Sequence, residues 1–62
     1  MNEVAYSQYI QQAKKADELY YAIRELYGEE IPWRQAYIHA VKNRLLTAED
    51  KDLIRRFHPP VK

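Results

Sequence analysis

The sequence predicts an all-α fold: an antiparallel helical hairpin, with helices over about residues 3–27 and 32–46, then a short third helix over about 48–57 and an extended C-terminal tail. Three observations carry this expectation. Apolar residues recur at steps of three and four through most of the chain, the spacing of one helix face. The single glycine and the three prolines fall only where those patterns stop or start. A Thr-x-x-Asp sequence stands immediately before the last pattern, where a helix N-terminus needs a cap.

The first helix is read from Tyr6, Tyr9, Ala13, Ala16, Tyr20, Ile23 and Tyr27, which alternate steps of three and four. Ser7, Gln11, Lys14, Glu18 and Glu25 fall on the opposite side, so the segment is amphipathic. Gly28 arrives where the pattern stops and suits a C-terminal cap, a position that favours left-handed backbone.

The second helix opens at Pro32, tolerated in a first turn because its missing N–H has no helical partner there. Glu29 and Glu30 just upstream suit the positive end of a helix. Trp33, Ala36, Tyr37, Ala40, Val41 and Leu45 form its apolar stripe, with Gln35, His39 and Lys42 opposite. The short connection near residues 28–31 predicts an antiparallel pair. Ala13 and Ala16 facing Ala36 and Ala40 would let the two axes approach closely.

Thr47-Ala48-Glu49-Asp50 is an imperfect capping box, since Asp replaces the preferred Glu or Gln. The third helix that follows has Glu49, Asp50 and Asp52 early and Arg55 and Arg56 late, which complements the helix dipole. Leu53, Ile54 and Phe57 give it an apolar edge. Pro59 disfavours helical backbone at His58, so Pro59-Pro60-Val61-Lys62 reads as an extended tail.

One small domain, residues 1–62, is the expected organisation. A chain this short buries only about 60% of the surface its unfolded form exposes and is marginal without disulfides, a metal or a partner chain. Disulfides are ruled out because there is no cysteine. Met1-Asn2-Glu3 is not a basic segment leading into an apolar run, and no stretch approaches the ~20 apolar residues of a membrane span. The expectation is a cytoplasmic protein without a membrane role.

The first helix is apolar over a wider arc than one neighbour can cover. At about 100° per residue, Leu19 and Leu26 extend the stripe on one shoulder and Ile10 and Tyr21 on the other, roughly doubling the ~100° that a single packing partner requires. Something must cover the second shoulder. Tyr and Trp combine a large rigid ring with a polar tip and are frequent interface anchors. Tyr6, Ile10, Leu19, Tyr21, Leu26 and Trp33 are therefore the candidate partner-binding residues. Tyr6, Tyr9, Tyr20 and Tyr27 also fit a half-buried core with hydroxyls reaching water. The expected partner is another protein, and a second copy of the chain, giving a homodimer, is the favoured one.

Catalysis finds few parts. Ser7 is the only serine and Thr47 the only threonine; neither has an evident base beside it, as nucleophilic catalysis requires. Glu29 and Glu30 are neighbours on a turn rather than acids converging on a cleft. His39 and His58 lack a paired-ligand spacing such as H-E-x-x-H. No catalytic residue, metal ligand or cofactor is expected. His39 reads as solvent-facing and His58 as a tail contact.

Nucleic acid is the alternative partner. Residues 1–33 carry three bases and six acids, whereas residues 34–62 carry seven bases and three acids. Arg34, Lys42, Arg44, Lys51, Arg55 and Arg56, with Lys62, are the candidate phosphate-binding residues. Against it, the third helix would present Glu49, Asp50 and Asp52 in the first turn, which a recognition helix offers to the groove. The function expected from sequence is a small non-enzymatic interaction module, acting as a binding subunit, inhibitor or regulator. A helical DNA-binding regulator and a self-assembling structural subunit are the alternatives.

Overall fold

The computed structural model describes residues 3–61. Met1, Asn2 and Lys62 lie outside the described residues, and with them the end of the expected tail. Three helices follow in order: α1 (Glu3–Tyr27), α2 (Trp33–Lys42) and α3 (Ala48–Phe57), with no strand among the described residues. The all-helical expectation holds, as do the bounds of the first and third helices.

α1 ends where the glycine predicted. Gly28 sits at φ 95°, and its N–H donates to the Arg24 carbonyl at 2.7 Å, the single backbone bond of a left-handed cap. α3 starts on a complete capping box. The Asp50 N–H donates to Thr47 Oγ1 at 3.1 Å while the Thr47 N–H donates to Asp50 Oδ2 at 3.2 Å. The shorter Asp side chain closes the motif as Glu would.

α2 departs from its expected span of about 32–46. Pro32 is the N-cap rather than the first helical residue, with extended backbone at φ −57° and ψ 144°. At the other end the helix stops at Lys42, because Arg44 turns left-handed at φ 58°. The Arg44 N–H donates to the Val41 carbonyl and the Leu45 N–H to the Ala40 carbonyl, each at 3.0 Å. These are the two bonds of a Schellman motif, built here on an arginine where glycine is the usual occupant.

The ring contacts between α1 and α2 do not follow the order an antiparallel hairpin requires. Such a hairpin sets Tyr27 beside the start of α2 and Tyr20 beside its end. Instead Tyr20 meets Trp33 at 4.6 Å between centroids, and Tyr27 meets His39 at 5.6 Å and accepts from Asn43 Nδ2 at 2.8 Å. The connection explains this order. It folds back along α1, where Arg24 Nη1 donates to the Ile31 carbonyl at 2.5 Å and so delivers Trp33 to the level of Tyr20.

Ile23, Ala36, Tyr37, Ala40 and Ile54 form the buried core, with Leu19, Tyr27, Ile31, Trp33, Val41 and Leu46 packed around it. Ala16 and Leu53 are also buried. All three helices thus contribute to the core, and α1 packs against both short helices. After α3 the His58 N–H donates to the Ile54 carbonyl at 2.7 Å, and the tail then bends, the Val61 N–H reaching the Pro59 carbonyl at 2.8 Å. That i to i+2 bond makes a tight turn instead of the fully extended tail expected.

α1 sets the shape of the molecule. Its 25 residues span about 37 Å at ~1.5 Å each, and the long axis of the protein is 39 Å against 21 and 19 Å across. α2 and α3 have ten residues each and are too short to flank all of it. The radius of gyration, 12.5 Å, exceeds the ~10.6 Å of a compact chain of this length.

Candidate functional site

The uncovered part of α1 is its N-terminal third. Every residue from Val4 to Gln12 is exposed, and burial begins at Ala13 and Ala16. Tyr6 is 57% exposed, Tyr9 57% and Ile10 46%, although the helical spacing that buries Ile23 runs unbroken through the two tyrosines. Tyr9 has one aromatic neighbour, the edge of Phe57 at 5.4 Å between centroids. The sequence could not separate these rings from Tyr20 and Tyr27, because periodicity records the face of a residue and not how far the neighbouring helices reach.

The six candidate partner-binding residues divide. Tyr6 and Ile10 lie together on the projecting end of α1. Tyr21, 65% exposed, and Leu26, 62% exposed, lie farther along it. Leu19 and Trp33 are half-buried against the core instead. Trp33 belongs to an aromatic lock centred on Tyr20. The Tyr20 ring stacks on the His58 imidazole at 4.5 Å and 18°, and it meets Trp33 on one side and Tyr21 at 5.3 Å on another. Arg24 lies over both Tyr20 and Trp33, its guanidinium carbon 5.5 and 5.7 Å from the centroids. Asp17 Oδ1 is 2.6 Å from His58 Nε2, and Trp33 Nε1 donates to the His58 carbonyl at 2.7 Å. The lock joins the end of α3 to the middle of α1 and the start of α2.

The six basic candidates divide as well. Lys42, Lys51 and Arg55 line one shallow groove with Tyr37, Ile38 and Val41 as its apolar floor. Arg56 turns to the other side of α3, where it donates to Gln12 Oε1 at 2.8 Å. Glu49 and Asp52 lie on that side with Lys15 in an open groove between α1 and α3. Asp52 also sits 3.9 Å from Arg55. Arg34 is exposed on α2, and Arg44 is exposed at the left-handed turn. The cations are therefore not gathered into one stripe.

Among the described residues, no group of three or more His, Asp or Glu side chains is drawn together as a metal-binding set, and no helix is long and apolar enough to cross a membrane. No family model, curated protein or solved structure matches this chain.

Proposed function

We propose that the protein is a small non-enzymatic interaction module that docks on another protein through the projecting N-terminal third of α1. The observation that carries this reading is the exposure of Tyr6, Tyr9 and Ile10 on consecutive turns of a helix whose continuation forms the core. Tyrosine and isoleucine held on a rigid helix give up large apolar area for little entropy, and the recurrent helix-in-groove mode reads such side chains at i, i+3 and i+4. A cytoplasmic setting is part of the proposal.

Ile10→Asp tests it, since residue 10 is exposed and stands outside the core cluster. The expected result is loss of a specific partner from affinity capture with helicity by circular dichroism unchanged. Capture retained by the folded variant would contradict the reading.

A second reading is favoured by the groove that sets Lys42, Lys51 and Arg55 together. Nucleic acid bound there would release counterions, so affinity measured by fluorescence anisotropy on a labelled duplex would fall steeply with added salt. An absence of binding at low salt removes this alternative.

A further inference from the structure

We infer that the occupant of the exposed α1 face is a second copy of the same chain, the two N-terminal helix segments packing antiparallel across a two-fold axis. This rests on the interaction reading above and names its partner.

A compact protein of 7.5 kDa exposes about 4,250 Å², whereas this chain exposes 4998 Å². The surplus of about 750 Å² matches the ~800 Å² that each partner contributes to an interface of standard size. A second copy seated on the projecting end of α1 would cover part of that surplus on both chains at once, as a two-fold interface does.

The sequence periodicity of α1 points the same way. Tyr6, Tyr9, Ala13, Ala16, Tyr20, Ile23 and Tyr27 keep a strict seven-residue repeat, the pattern of a helix whose seam faces another helix along its whole length. Within one chain the seam is closed only from about Ala13 onward; Tyr9 keeps one edge contact with Phe57 and is otherwise open, and Tyr6 continues the seam into solvent. The seam is thus continuous in sequence and interrupted in its cover.

Orientation follows from where the short helices lie. They cover the same face of α1 that the seam occupies. In a parallel pair both bodies would compete for one space across the seam. In an antiparallel pair each body lies beyond the N-terminus of its partner. The register that overlaps only the projecting ends sets Tyr6 against the partner's Tyr9 and the reverse, two aromatic pairs related by symmetry. Ile10 flanks them.

Sedimentation equilibrium over a dilution series tests the pairing. The expected result is a reversible dimer of about twice 7.5 kDa. Tyr6→Glu should raise its dissociation constant at least about 30-fold, the scale of an interface anchor, with circular dichroism unchanged. A monomer at every concentration would overturn self-pairing. Spin labels on Glu18→Cys test the orientation, because residue 18 lies about ten residues from the axis and antiparallel copies hold the labels more than about 30 Å apart. Separations below about 20 Å would overturn the antiparallel arrangement. p-Benzoylphenylalanine in place of Tyr6, irradiated in cell extract, separates the two levels of the argument. An adduct of twice the chain mass supports the pair, and adducts only with a different protein overturn it while leaving α1 a docking face. No adduct at all overturns both.

Discussion

The indole of Trp33, the first residue of α2, donates from Nε1 to the backbone carbonyl of His58, the residue that ends α3, at 2.7 Å. This bond links the two short helices, and Tyr20 of α1 touches both rings, stacked on the imidazole and tilted by 60° against the indole. The lock therefore holds all three helices at one point. Trp33→Phe keeps an aromatic ring but leaves the carbonyl without its donor, and should cost about 1 kcal/mol. Urea unfolding followed by circular dichroism checks it, and an unchanged midpoint would mean that the bond contributes nothing.

Two left-handed residues make opposite predictions. Gly28 at φ 95° has open space around the position of a Cβ, so Gly28→Ala should lose about 1 kcal/mol from backbone strain alone. Arg44 at φ 58° already bears that strain. Arg44→Gly should relieve it and stabilise by roughly 0.5–1 kcal/mol. Thermal unfolding of the two variants should move the melting temperature in opposite directions.

Thr47→Ala removes the acceptor for the Asp50 N–H and with it half of the capping box. The expected loss is about 1 kcal/mol. Thr47→Ser, which keeps the hydroxyl, should stay within about 0.5 kcal/mol of the parent. Equal losses for both would show that the methyl group matters more than the cap.

Ile54 is fully buried between the three helices, whereas Leu26 is exposed on α1. Ile54→Ala should cost about 2–5 kcal/mol. In a domain whose whole stability is on the order of 3–5 kcal/mol this leaves little folded protein. Leu26→Ala should change stability by less than about 0.5 kcal/mol. Helical circular dichroism of the two at equal concentration distinguishes them.

The bounds of α1 and α3 were legible because local chemistry decides them: Gly28 at one end, Thr47 with Asp50 at another, and Pro59 after His58. The end of α2 was not, since its left-handed residue is Arg44 and no glycine marks the place. Nor was the order of contacts between α1 and α2. A short connection suggests an antiparallel pair, but the bond from Arg24 to the Ile31 carbonyl turns the chain back along α1. In the candidate site, the outward positions of Ile10, Tyr21 and Leu26 could be read from helical geometry. Tyr6 and Tyr9 share the core face of α1, and their exposure depends on the length of α2 and α3, which no pattern within α1 records. Trp33 was ambiguous for a related reason: its hydrogen-bond acceptor is 25 residues away.

Hydrogen exchange of the α1 amides at two protein concentrations measures most directly whether another chain covers the aromatic end of the helix. Residues 7–12, whose N–H groups are bonded within α1, should exchange slowly in concentrated solution and much faster on dilution below the dissociation constant, while residues 16–27, held by the core, keep the same protection at both. Protection at residues 7–12 that is independent of concentration, whether high or absent, would contradict the account.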